Sequence, residues 1–218
     1  MYVKESLDQI VYRRFMTGFY ACSYHPGEIL DPAELAERYC VSRTPVVQAL
    51  KQLAHEKIIA VQANGRFFIP VPTEATLQGV CRTRIIFEQE AIGLLAESRD
   101  SAVIHSLRQI ADSCYQEMAT VNNLESVKRD MDFHRTLVAS SGNSCLQELY
   151  ETVLNRYISI KYVLRDQYRS QKAGAQRHID IVKAIEAGEG ELAKELLSSH
   201  VSAAMETMMQ MICALPQQ

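Results

Sequence analysis

A chain of 218 residues with 47% hydrophobic and 22% charged side chains has material for one large core or two smaller ones, and excludes a disordered tail or a fibrous repeat. No stretch reaches the ~18 apolar residues of a membrane span, and MYVKESLDQIVYRRF carries acidic residues where a secretory leader would be apolar, so no membrane contact and a cytoplasmic location are expected. The net charge of −3 is uneven: residues 1–72 hold eight Lys/Arg against seven Asp/Glu, and the remainder fifteen against nineteen, so a nucleic-acid surface belongs to the first part alone.

In chain order, apolar Leu7, Ile10, Val11 and Phe15 mark a first helix over 5–17. After Pro26-Gly27, Asp31 precedes Pro32 and AELAERY, an N-cap followed by proline at the first helical position of a two-turn helix. Ser42 is placed to cap a third, SRTPVVQALKQLAHEK, with Pro45 tolerated in its first turn. Strand-like runs at 58–62 and 66–69 flank Asn64-Gly65, a hairpin signal. Two prolines at 70 and 72 then forbid helix, which divides the chain into a head at 1–70, a linker at 71–73 and a second domain at 74–218. That second part reads as six helices, 74–98, 101–120, 124–141, 144–170, 173–187 and 189–214, an antiparallel bundle with breaks that include Gly142-Asn143, Gly174 and 188–190. The fold class is mainly α. Six cysteines without a C-x-x-C pair read as reduced packing residues.

In the third helix Val46, Ala49, Leu50 and Leu53 share one face, and Arg43, Thr44, Val47, Gln48 and Lys51 share the other. Such a polar face is usually only solvated. The capped helix before it and the hairpin after it point instead to major-groove readout, with Arg66 of the hairpin reaching adjacent phosphate or minor groove. The run PGEILDPAELAERYCVSRTPVVQALKQLAHEKIIAVQANGRFFI resembles the winged helix-turn-helix of the GntR family of bacterial transcription regulators. Pro26-Gly27, Glu34-Leu35-Ala36, 41–46 and Ala49-Leu50 carry the match. The family usually has Arg then Glu where this chain has Val47 and Gln48, so Arg43 carries over as a DNA contact, and position 47 and the operator sequence do not.

Asp130 and His134, four apart on one helix, can share an ion or simply hydrogen-bond each other, while Asp132 points elsewhere. His178 in RHIDIVKAI and His200 in LLSSHVSAA enlarge the set to three imidazoles and a carboxylate, borderline ligands that suit zinc, nickel, iron or manganese with positions left open. Spacing does not decide whether they converge. His105 has no acidic partner and reads as filler. The segments RTRIIFEQEA, DMDFHRTLVASSGN and RHIDIVKAIEAGEGELAKELLSSHV are similar to the helical ligand-binding domain of the FadR branch of GntR regulators, in its shorter, six-helix, VanR-like form. That resemblance implies Asp130, His134, His178 and His200 as ligands of a divalent metal, zinc foremost.

A metal at the floor of a helical cavity suits a carboxylate or hydroxycarboxylate effector, held also by a guanidinium. Arg84 is the candidate, with a surface pair to Glu88 as the competing reading. Asn155, Arg156 and Tyr157 lie mid-helix in a segment expected to line the bundle, and Tyr162 and Tyr168 read as packing. The expected protein is a metabolite-responsive, dimeric regulator of a pseudo-palindromic operator in double-stranded DNA. The rival from another class is a metal-dependent hydrolytic enzyme built on a helical bundle.

Overall fold

The computed structural model describes residues 5–117, 123–164 and 172–215. The head comprises α1 (Leu7–Tyr20), β1 (Ile29–Leu30), α2 (Pro32–Tyr39), α3 (Arg43–His55), β2 (Ala60–Val61) and β3 (Phe67–Phe68). The helix α2 begins where expected: the Asp31 carboxylate accepts from the Ala33 amide at 2.6 Å, and Pro32 takes the position whose N–H has no partner in any helix. It ends at Cys40, whose left-handed backbone (φ 56°) lets the Val41 amide reach back to the Ala36 carbonyl. Ser42 stands at the N-cap of α3 with extended backbone but makes no capping hydrogen bond, which corrects the cap assigned to its side chain. Val46, Ala49, Leu50 and Leu53 are buried, and α1 covers them with Val11, Phe15 and Phe19. Leu7 does not join that face; it is 55% exposed, one turn before the core begins.

The strands pair antiparallel in the order β1-β3-β2, with Ile29 and Ala60 both opposite Phe68. Each is only two residues long, shorter than the two runs read from sequence, and β1 escaped pattern reading because two residues hold no alternation. Gly65 adopts φ +83° at the tip between β2 and β3, a conformation in which a side chain would be strained.

The second part holds α4 (Glu74–Ser98), α5 (Ser101–Glu117), α6 (Asn123–Ala139), α7 (Ser144–Val163), α8 (Lys172–Ala187) and α9 (Gly190–Cys213). Thr73 and Asn143 cap α4 and α7 by accepting from the amides of Thr76 and Leu146. The expected break at Gly174 is absent, since α8 runs through it and a Cβ there would meet only His200, at 3.9 Å. Gly188 is a true stop: φ is +76°, and a Cβ would come within 2.8 Å of the Arg99 guanidinium. The expected extensions of helix to 120 and 170, and Tyr168, lie outside the described residues.

Head and bundle meet along α7. The Ser159 hydroxyl donates to the Ile58 carbonyl at 2.8 Å in a buried position, and the Tyr162 ring lies 4.8 Å from Tyr20 and 5.8 Å from Phe19. Tyr162 is thus a packing residue, as expected.

Candidate metal centre and nucleic-acid interface

Asp130 and His134 stand on α6, His178 on α8 and His200 on α9, and bundle packing brings one ligand atom from each within 4.8 Å of every other. All four residues are buried. The His200 Nε2 lies 3.2 Å from the Nε2 of His134 and 3.1 Å from that of His178, which is itself 3.2 Å from Asp130 Oδ1. His134 Nδ1 is 2.7 Å from Glu88 Oε2, so that ring spends its proton on the carboxylate and turns a lone pair inward. With neutral rings and an ionised Asp130, no placement of protons satisfies all three inner contacts; a cation among them satisfies every one. Nitrogens ~2.0–2.1 Å from a common zinc are roughly 2.9–3.4 Å apart, and the observed separations fall in that interval. The donor set therefore fits a divalent transition metal. The direct Asp130–His134 pair weighed from spacing alone is long, 3.9 Å.

A second layer fixes these ligands. Glu88, on α4, is fully buried and accepts from Arg84 Nε at 2.7 Å and from the Tyr150 hydroxyl at 2.6 Å as well as from His134. Burial would raise its carboxyl, but the Arg84 guanidinium and His134 outweigh burial and bring it to about 2. Lys161, on α7, donates to Asp130 Oδ2, leaving Oδ1 toward the imidazoles. Burial works against the Asp130 anion as well, yet Lys161 and His178 hold its carboxyl well below the usual range. Burial depresses His134 to about 4 despite Glu88, and burial with the other two rings holds His200 well below its ordinary value, which keeps both as the neutral imidazoles a metal needs. Glu88 entered the sequence reading only as a partner of Arg84, and Lys161 and Tyr150 did not enter it. The available signal for Lys161 was a single cation in the apolar run YISIKYV.

Arg84 is 1% exposed, so its pair with Glu88 is internal, which overturns the surface reading. Its Cζ lies 4.1 Å from the centre of the Tyr157 ring, and its Nη2 is buried without a hydrogen-bond partner. Tyr157 is buried in the cluster, while Asn155 is half-buried and Arg156 exposed. At 100° per residue a helix cannot present three successive side chains to one site, so Arg156 is not brought to it. His105 is exposed, and Asp132 pairs with Arg135 outside the cluster.

In the head, Arg43, Thr44, Gln48 and Lys51 are exposed along α3 and Val47 is half-buried between them. Arg43, Val47 and Lys51 line an open groove whose other wall carries Asn64, Gly65 and Arg66 of the hairpin, with Asp31 and Glu34 at the start of α2. Three cations from a helix and a wing thus face one concavity, as a reader of phosphate and base edges requires.

The FCD domain family matches residues 80–203, and the bacterial regulatory proteins of the gntR family match residues 11–69. The chain is 31% identical over 167 residues to the Nta operon transcriptional regulator of Aminobacter aminovorans, covering 76% of this chain and 78% of that protein. Among solved structures it is similar to E. coli McbR/YncC, with a TM-score of 0.78 and 20% identity over 95% of this chain and 99% of that one. It is also similar in fold to the Zn2+-bound FCD domain of TM0439, with a TM-score of 0.50 and 18% identity over 63% and 94% of the two chains. These relationships set aside the hydrolytic enzyme. The chain belongs to the GntR family of bacterial regulatory proteins, in the branch that joins a winged helix-turn-helix to an FCD effector domain, and is a DNA-binding transcriptional regulator rather than an enzyme.

Proposed function

We propose that this regulator binds a pseudo-palindromic operator as a dimer and releases or tightens it when a small carboxylate or hydroxycarboxylate reaches a divalent metal held by Asp130, His134, His178 and His200. Zinc is the first choice, because the set is borderline and a fold relative is described as Zn2+-bound; nickel, iron and manganese suit the same donors. The head would span 1–70, a linker 71–73 and the effector domain 74–218, with Arg43, Thr44, Gln48 and Lys51 on base edges and phosphate and Arg66 beside them. The observation that carries the effector reading is the Arg84 guanidinium: fully buried, fixed by Glu88 and Tyr157, and left with an unpartnered Nη2. A buried guanidinium N–H without an acceptor costs about 1–3 kcal/mol or more, so a site that keeps one is shaped for an anion. The metal, when bound, supplies a Lewis-acidic position for one effector oxygen.

The test combines elemental analysis with binding. The purified protein should carry close to one first-row transition metal per chain, and His178→Ala should lose both the metal and thermal stability. Arg84→Ala should keep the metal and lose carboxylate binding. A metal-free protein whose His178→Ala variant melts like the parent would leave the four residues as ordinary helix side chains and end this reading.

A further inference from the structure

Val47 is an apolar residue of the head that the core does not use. It is half-buried on α3 between the exposed Arg43 and Lys51, and it lines the groove whose other wall carries Asn64 and Arg66 of the hairpin. Among the described residues it is not one of the half-buried apolar side chains that pack on the core, whereas Phe67, across the same groove, is. A β-branched residue at such a position also gives up helix propensity relative to a straight-chain polar one. Neither packing nor propensity therefore accounts for a valine here.

Residues at i−4, i and i+4 follow one another along a single helix face, so any pose in which Arg43 and Lys51 both engage DNA lays Val47 on it as well. In the major groove the base edges offer one apolar feature, the C5 methyl of thymine, and otherwise only hydrogen-bond donors and acceptors. Guanine O6 and N7, the adenine amine or the cytosine amine would each lose water beneath an isopropyl group that returns no hydrogen bond. A thymine methyl loses nothing there and gains the apolar contact. Resting on the DNA interface proposed above, we propose that Val47 is a specificity-determining residue that selects a 5-methylpyrimidine, thymine in unmodified DNA, at one base pair of each half-site. The contact is apolar, so it sets base preference without adding to the salt dependence that Arg43 and Lys51 supply. Thr44, exposed three positions earlier on the same helix, carries the competing methyl group.

The experiment uses the full chain and a duplex recovered by selection from a random-sequence pool, in which each thymine is replaced in turn by uracil. Uracil keeps the pairing and the O4 acceptor and lacks only the methyl group. The replacement should weaken binding about fourfold at one thymine of each half-site and leave the salt slope unchanged. When that pair is exchanged for C·G, a 5-methyl group on the cytosine should tighten binding by a similar factor. In Val47→Ala both methyl effects should shrink to within about 1.5-fold, a comparison that cancels whatever uracil does to the duplex itself, and Val47→Ile should retain them. Val47→Gln, which keeps bulk at the half-buried position and removes the branched methyls, gives the same comparison if the Ala variant does not fold. A scan with no uracil-sensitive thymine would overturn the proposal, as would a penalty that survives Val47→Ala, which would assign the contact to Thr44. A chain that recovers no preferred sequence from the pool would instead bring down the operator reading on which the proposal rests.

Discussion

Single side chains decide what each end of this molecule can recognise. Arg43 and Lys51 are exposed on the face of α3 that lines the groove to the hairpin, and in the proposed DNA interface each would neutralise a phosphate or grip a base edge. Replacing either by Ala should weaken operator binding and reduce the slope of log affinity against log salt by about one. Equal slopes for parent and variants across a salt series would remove α3 from the DNA interface. Gln48→Ala should instead relax base preference at one position, on the order of 1–3 kcal/mol if the amide makes a bidentate contact, which a binding-site selection profile would register. The buried imidazoles set a different dependence. His134 is held near 4 by burial, whereas in the unfolded chain it takes its proton near its ordinary value of 6.5. A group depressed in the fold stabilises above its unfolded value and loses that contribution as pH falls toward the folded one. The denaturation midpoint of the chelated protein should therefore fall steadily between pH ~6.5 and ~4, and a flat midpoint through that window would show that the ring is not held neutral.

At the scale of an element, α7 has two jobs on two faces. Tyr157 and Lys161, four apart, turn toward the charged cluster, and Ser159 and Tyr162 turn toward the head. A shift of this helix is felt at both ends because packed interiors move in discrete steps rather than stretching. Ser159→Ala leaves the buried Ile58 carbonyl without its donor and should cost about 1–3 kcal/mol in unfolding free energy, with metal content unchanged. Adding Tyr162→Ala, which empties the contact with Phe19 and Tyr20, should leave effector binding intact and blunt its effect on operator affinity. A double variant whose operator affinity still responds fully would move the route to another helix, α4 first, since it carries Arg84 and Glu88.

For the whole molecule, one helix of 13 residues reads few base pairs, and the proposed two-fold pairing of chains would double the contact. Light scattering should give twice the chain mass both free and on DNA, with half-sites related by the protein's two-fold axis. A monomer in both states would remove the palindromic operator along with the dimer.

The sequence by itself determined the local and periodic features. Asp31-Pro32 started α2, the spacing of Val46, Ala49, Leu50 and Leu53 chose the buried face of α3, and Asn64-Gly65 placed the hairpin tip, because each of these rests on interactions within a few residues of chain. Family-typical motifs also marked Asp130, His134, His178 and His200, though spacing could not say that they meet. Only the tertiary structure brought them together, as it takes the packing of α6, α8 and α9 to set the Nε2 atoms of His134 and His178 at 3.2 and 3.1 Å from that of His200. It also decided between the two readings of Arg84, turned Arg156 outward, and revealed Glu88, Tyr150 and Lys161 as partners of the cluster. Those choices depend on desolvation and charge pairing between helices distant in sequence, Glu88 and Tyr150 being 62 positions apart, and neither quantity exists until the interior closes.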